Sequence, residues 1–418
     1  MRRLLPQSMY ARNVLTLMIG TSLAQAIPIA ISPILTRLYS PDEFGLFALY
    51  MAVVSIAVVL VTGRYEQAIL LPRQERDAAH IAVLVVLLSG FVSACLLVVV
   101  ILFKSQITFF LGNPELSPWL YWIPASTFLL GVYQGLNYWS NRKAQYKRLA
   151  ISRTVQSGSV SLAQLGYSRI EALGLVGGQV TGQVLATCAI VYLIWREDHR
   201  LIRVLQPLRS LALARKYVNF PKYLIVAHGF NAASGQMPVL LLNALFSATT
   251  AGFFTLTQRV MAAPMALVAG ALGEVFRQEA SQAYIHQGNC IAIYRKTFKR
   301  LFVISILPFC TLFIIAPDIF ALIFGVQWRV AGEYAQILVP KFFFDFVVGP
   351  LSAMFMIAEK QRLDLLWQIV LVSIAIGSFY TGYWLSDVKL ALLFYSVSHC
   401  FMQLINLYMT YGFARNNS

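Results

Sequence analysis

Apolar stretches of about 20 residues recur along the whole chain, separated by short polar or charged segments. Twelve can be drawn, at about 14–36, 44–63, 81–103, 118–140, 151–168, 173–195, 222–243, 253–272, 301–323, 334–358, 364–384 and 388–409. As a helix, each is long enough to cross a hydrocarbon layer of about 30 Å. The short alternating segments of a membrane β-barrel are not the pattern here. The fifth stretch, with VQSGSVSLAQLGY, is the most polar, which predicts a helix facing protein or a cavity rather than lipid. The pattern predicts an all-α integral membrane protein with about 12 transmembrane helices.

Composition strengthens this. Hydrophobic residues make up 58% of the chain and charged ones 12%, about half the charged share of a soluble domain, roughly 25%. Arg2 and Arg3, an apolar run and AQA at 24–26 imitate a signal peptide, but the run continues to Leu35, as a span does.

A net charge of +16 suggests nucleic acid until the positions of the cations are read. With the N-terminus inside, 26 of the 33 Lys and Arg fall on the inner side, five outside, and two, Arg259 and Lys341, within spans. That asymmetry is the positive-inside pattern, so both termini are expected in the cytoplasm and no nucleic-acid partner is expected. The longest inner loops, about 196–221 and 273–300, are basic and amphipathic, and LIRVLQPLRSLALARKY is expected as a helix on the membrane surface. Trp119, Trp122, Trp328 and Trp384 fall near the outer surface, and Trp195 and Trp367 near the inner one, where an aromatic belt is expected.

Several chemistries find no support. The five cysteines show no CxxC or metal-ligand spacing. There is no GxxxxGK[ST], and no aspartate pair suited to magnesium and a diphosphate. No loop could fold into a catalytic domain, so a transporter without cofactor or metal is expected rather than an enzyme.

Shifting the sequence by 207 residues lays SPDEFGLFALY (40–50) over SATTAGFFTLT (247–257), matching Ser40 with Ser247, Gly45 with Gly252, Phe47 with Phe254 and Leu49 with Leu256. QAIP in the first span and QMP in the seventh stand before them. The expected organisation is two six-helix lobes related by a parallel repeat, at 1–195 and 222–418, joined by a basic cytoplasmic connector at 196–221.

A charge at mid-membrane costs about 2.5–3.5 kcal/mol on insertion scales, so the polar residues inside the spans are the candidate site. Arg259 lies in the eighth span; Lys341 and Asp345, four residues apart, share a face of the tenth. Either these form a structural ion pair, or they make a cationic lining for an anionic substrate. In TGRYEQAILLP, Arg64 and Glu66 end the second span, and either snorkel to the interface or contact a substrate head group. Polar stripes carry Ser22, Gln25, Ser32 and Thr36 in the first span and His228, Asn231 and Ser234 in the seventh, and Gln236 of QMP, matched with Gln25 of QAIP, is a candidate beside them. Such stripes mark helix contacts or the lining of a cleft.

LTRLYSPDEFGLFALY (35–50), TGRYEQAILLPRQERDA (62–78) and APDIFALIFGVQWRVAGEYAQIL (316–338) resemble the Wzx-type polysaccharide flippases of the MOP exporter superfamily, which includes the MATE drug exporters and the peptidoglycan flippase MurJ. The resemblance implies two six-helix bundles around a central cavity. It also implies a substrate, an undecaprenyl-diphosphate-linked oligosaccharide such as an O-antigen unit, moved from the cytoplasmic to the periplasmic leaflet of a bacterial inner membrane. Its expected partners are that lipid-linked glycan, membrane lipids, and the polysaccharide polymerase and chain-length machinery. Arg64 and Glu66 are carried over with their motif; Arg259, Lys341 and Asp345 rest on the residues themselves. Two rival readings are a MATE-like cation or drug exporter, which calls for acidic cavity residues, and a membrane glycosyltransferase, polymerase or ligase, which calls for a long outer loop or catalytic carboxylates.

Overall fold

A computed structural model describes residues 9–170, 173–202 and 207–415, and among them there is no β-strand. The first half contains α1 (Met9–Leu38), α2 (Pro41–Val61), the one-turn α3 (Tyr65–Ala68), α4 (Glu75–Phe110), α5 (Trp122–Arg142), α6 (Tyr146–Gly166), α7 (Leu173–Ile202) and α8 (Pro207–Lys216). The second contains α9 (Ile225–Leu245), α10 (Ala248–Pro264), α11 (Gly270–Gln287), α12 (Ile291–Phe324), α13 (Arg329–Val348), the short α14 (Met354–Ile357), α15 (Gln361–Trp384) and α16 (Val388–Ala414).

Each of the twelve expected spans falls on helix, and the chain is an all-α, multi-pass membrane protein. Large apolar side chains such as Phe91, Leu307 and Ile314 stand outward, as lipid contact requires and water does not tolerate in such numbers. Among the described residues seven helical stretches are long and apolar enough to cross a membrane. Helices α1, α5, α6, α9 and α10 account for the other five expected spans.

Two expectations need correction. The eighth span is not one regular α-helix: α10 stops at Pro264, Met265–Ala269 form a π-helical turn, and α11 continues to Gln287. The basic segment 273–300 is therefore mostly helix rather than loop, because α11 runs on to a left-handed Gly288 (φ 71°) and α12 begins at Ile291. The expected surface helix is present as α8, with Pro207 at its first position and Arg215 and Lys216 in its last turn; residues 203–206 of that stretch lie outside the described residues.

The chain divides into two compact units, the described part of Met1–Tyr39 with Leu46–Gln236, and Ser40–Gly45 with the described part of Met237–Ser418. In the first unit, α6 packs closely on α1 and α7 through small residues. A Cβ on Gly182 would lie 2.4 Å from the Val160 Cα, so the helix backbones touch there. Tyr65, Ile69, Ile81, Val85, Trp139 and Ile190 form a core beneath the bend that follows α2.

In the second unit the two stretches matched by the 207-residue shift meet. Ser40 caps α2 through a reciprocal pair, its Oγ accepting from Glu43 N (3.3 Å) while the Glu43 carboxylate accepts from Ser40 N (2.7 Å). Ser247 caps α10 likewise, accepting from Thr250 N at 3.2 Å. The two helix starts then cross: a Cβ on Gly45 would meet the Ala248 carbonyl at 1.8 Å, and one on Gly252 would meet the Pro41 carbonyl at 2.0 Å. Under the shift these contacts are each other's image, and the hydrogen bond from Thr249 to Asp42 joins a third matched pair.

Trp328 is not part of an outer aromatic belt. It is fully buried, with the rings of Phe44 at 5.0 Å and Phe253 at 5.8 Å edge-on to it. Trp119 is buried as well. Position along the chain assigns each tryptophan a depth in the membrane; it does not say which side of the helix faces protein.

Candidate functional site

The stretch TGRYEQAILLP is shaped by its backbone. Gly63 (φ 56°) and Arg64 (φ 59°) are both left-handed, which ends α2 and starts α3 in a new direction. For a non-glycine residue this conformation costs roughly 1–2 kcal/mol, and such strain persists where the surroundings hold it in place. The hold comes from three directions. Arg142 donates to the carbonyls of Ile69 (3.0 Å) and Pro72 (2.5 Å), Tyr65 donates to the Ala214 carbonyl (3.0 Å), and Ile69 is fully buried below.

The bend turns Arg64 and Glu66 inward rather than out to an interface. Their side chains are 16% and 1% exposed and paired at 3.2 Å. Arg64 also donates to His228 Nδ1 on α9. Even so, Arg64 Nε and Glu66 Oε2 are buried with no hydrogen-bond partner among the described residues. The pair therefore retains bonding capacity that the protein does not use.

Arg64 and Glu66 line a cavity of about 550 Å³ in the first unit, together with Gln25 on α1, Gln134 and Asn137 on α5, and Arg153 on α6. Arg153 is half-buried and donates to Thr21 Oγ1 at 2.6 Å, which aims a second guanidinium into the same space. Arg153 is absent from the candidates drawn from sequence, which count it with the inner-side cations at the edge of the fifth stretch. Helix α6 begins at Tyr146 and places it about two turns into the helix. The available signal is Arg153, Gln156 and Ser157 on one face of a polar helix.

Lys341 and Asp345 form a separate cluster in the second unit. Lys341 Nζ donates to Asp345 Oδ2 at 2.7 Å, and Oδ1 accepts from His399 Nε2 and Gln403 Nε2, both at 2.8 Å. The ring of Phe342 lies 4.5 Å from the Lys341 ammonium and that of Tyr395 5.7 Å, covering it. His399 and Gln403 are not among the candidates from sequence, although they lie four residues apart on one face of an apolar helix. Among the described residues Asp345 forms an ion pair with Lys341 and a hydrogen bond with His399; Arg259, on α10 of the same unit, is half-buried. Asn231 and Gln236 lie on α9, after His228, and are not among the residues that line the cavity with Gln25, Arg64 and Glu66.

Cys290, just before α12, is buried outside either cluster, and burial pushes its thiol up to about 11. It is thus an inert packing residue rather than a reactive one.

Long helices with charged clusters inside and apolar side chains outside define a multi-pass helical membrane protein. Solved structures share the fold over nearly the whole chain. An inward-facing multidrug resistance transporter of the MATE family, in the MOP superfamily, matches with a TM-score of 0.73 at 13% identity, covering 94% of this chain and 96% of that one. A MOP superfamily transporter from Pyrococcus furiosus matches with 0.63 at 14%, covering 96% and 94%. An outward-facing MATE family transporter gives 0.60 at 13%, covering 96% and 94%. No curated protein matches the sequence significantly. The sequence model of the family described as Polysaccharide biosynthesis protein matches residues 34–333, and the chain belongs to that family. This is a transporter fold, not that of an enzyme family.

Proposed function

We propose that the protein is a flippase for lipid-linked oligosaccharides, moving undecaprenyl-diphosphate-linked repeat units of O-antigen or a similar surface polysaccharide from the cytoplasmic to the periplasmic leaflet by alternating access. The observation that carries this reading is the cavity of the first unit, in which two guanidiniums, Arg64 and Arg153, stand among amides and a single carboxylate. Guanidinium forks suit phosphate oxygens, and the amides of Gln25, Gln134 and Asn137 suit sugar hydroxyls. Glu66 holds Arg64 in place and offers a countercharge when the head group leaves. Family membership in polysaccharide biosynthesis supports the same substrate class.

In this proposal the protein sits in a bacterial inner membrane with both termini cytoplasmic, as the bias of Lys and Arg indicates. Its partners are the lipid-linked glycan, membrane lipids and the polymerase and chain-length machinery that use the flipped unit. The fold alone would also suit a MATE-like exporter of cationic drugs, but here cations outnumber the carboxylate in the cavity. For the Pyrococcus furiosus transporter, a reversed polarity of the binding pocket suggests a different function; sign of charge is likewise the discriminating property here.

Mass spectrometry of lipid-linked sugars in a deletion strain tests the proposal. Accumulation of complete single repeat units, reversed by the wild-type chain, is expected. Accumulation of finished polymer points instead to a ligase, and an unchanged lipid pool with altered drug tolerance to an exporter.

A further inference from the structure

At one end of the second unit, α12 and α16 leave a groove of about 320 Å³ between them. It begins about one turn from the start of α12 and ends within a turn of the end of α16. The buried Tyr294 forms its floor, with its hydroxyl hydrogen-bonded to Thr410 at 2.8 Å. Phe298, Leu404, Leu407 and Tyr408 form the walls, and Tyr408 is 81% exposed at the open side.

The mouth of the groove is cationic. Arg295 donates to the Tyr411 hydroxyl, and its guanidinium carbon lies 5.5 Å from the centre of that ring. Arg415 approaches the same ring at 5.9 Å. Lys296, Lys299 and Arg300 are exposed on the same turns of α12. Among the described residues neither Arg295 nor Arg415 forms an ion pair, and the sequence around them holds few candidates: no Asp or Glu occurs between Glu279 and Asp318, or after Asp387. Two guanidiniums gathered on one tyrosine, with no carboxylate side chain paired to either, suit an anion from outside the chain.

We infer that this groove binds one anionic glycerophospholipid, with an acyl chain in the slot and the phosphate between Arg295 and Arg415. The membrane is as apolar as the slot, so the chain itself selects nothing; selection comes from the head group. A planar guanidinium fork matches a phosphate, and a cluster of cations repels the ammonium of a zwitterionic lipid. The groove offers no amide and no carboxylate to sugar hydroxyls, unlike the cavity of the first unit, so a glycan head would leave its polar groups unmet there. The inference is independent of the flippase reading.

The test uses the full-length protein. Native mass spectrometry in detergent, titrated with phosphatidylglycerol, phosphatidylcholine or a short polyprenyl phosphate, should show one phosphatidylglycerol retained in preference to phosphatidylcholine. The Arg295→Ala/Arg415→Ala double variant should lose that preference, by about tenfold in relative retention. Arg295→Lys/Arg415→Lys, which keeps charge without the fork, should retain part of it. Leu407→Trp, which fills the slot, should lose the lipid with both arginines in place, and Arg64→Ala should leave retention unchanged. Equal retention of the two phospholipids by the wild type, an unaltered preference in the double alanine variant, or polyprenyl phosphate retained over phosphatidylglycerol by Arg64→Ala and released by the double alanine variant would each overturn the inference.

Discussion

Each unit buries a cluster of the same ingredients, a cation, a carboxylate and a histidine, yet the two clusters are built to opposite ends. Lys341 and Asp345 stand four residues apart on one helix, a spacing that brings side chains together without further help. His399 and Gln403 fill the other carboxylate oxygen, and the aromatic rings of Phe342 and Tyr395 cover the ammonium. Of that cluster only the amide oxygen of Gln403 is buried without a partner among the described residues. Arg64 and Glu66 are two apart on a broken helix, and both keep a buried polar atom unmatched while facing a cavity that holds a second arginine. A continuous helix lets opposite charges satisfy each other; a left-handed break holds them short of it and leaves bonding capacity for a ligand. In the proposed function, that contrast separates a binding cluster from a structural one.

The largest effect should come from the first cluster. Arg153→Ala removes charged hydrogen bonds worth about 1.5–3 kcal/mol, so transport should fall about 10- to 100-fold, with protein level and melting temperature unchanged; Arg64→Ala should cut transport as far and also lower the melting temperature, because it leaves the buried carboxylate of Glu66 without its partner. Surface polysaccharide and flipping in reconstituted vesicles would report it. Variants that transport normally would leave the cavity without a role.

Asp345→Ala should act on stability instead. An unpaired buried ammonium costs about 3–5 kcal/mol, so the melting temperature and membrane level should drop while transport per molecule stays near normal. Lys341→Met combined with Asp345→Leu should recover most of the stability. A stable Asp345→Ala protein that no longer transports would make the second cluster a transport site too, and the contrast would fail.

Glu66→Gln probes the balance within the first cluster. Removing the countercharge at about 1 kcal/mol should tighten substrate binding about fivefold and slow its release to the same degree. The half-saturating substrate concentration and the maximal rate should thus fall together. Smallest of all should be Asn231→Ala and Gln236→Ala, within about twofold of wild type in transport, because substitutions away from such clusters stay within about 0.5 kcal/mol.

The helices were legible from apolar run length alone, because a hydrocarbon layer imposes one requirement on every span. The candidate site was partly legible. Arg64, Glu66 and Gln25 share a cavity, and Lys341 and Asp345 share a helix face, as their spacing suggests. Arg153 was hidden because it stands at the very start of its apolar run, where it counts as an inner-side cation; α6 starts earlier, at Tyr146, which carries it up to the cavity wall. His399 and Gln403 were hidden because partners across a bundle have no spacing rule. The burial of Trp328 escaped for a related reason, since depth in a membrane and orientation toward protein are independent. The break after Pro264 was equally silent: nothing in PMALVAG (264–270) distinguishes a π-helical turn from continuous helix except the proline itself.

The crossing of Gly45 over Ala248 and of Gly252 over Pro41 carries a consequence for how the two matched stretches can change over time. A stretch that packs only against unrelated neighbours is free to drift on its own. Here a single methyl group on either glycine would strike a backbone carbonyl at 2.0 Å or less, and the displaced helix would open the image contact as well. Neither stretch can accept a larger residue by itself. Nor can a larger residue in one be offset by a smaller one in the other, since glycine is already the limit. The inheritance of one stretch thus constrains the inheritance of the other.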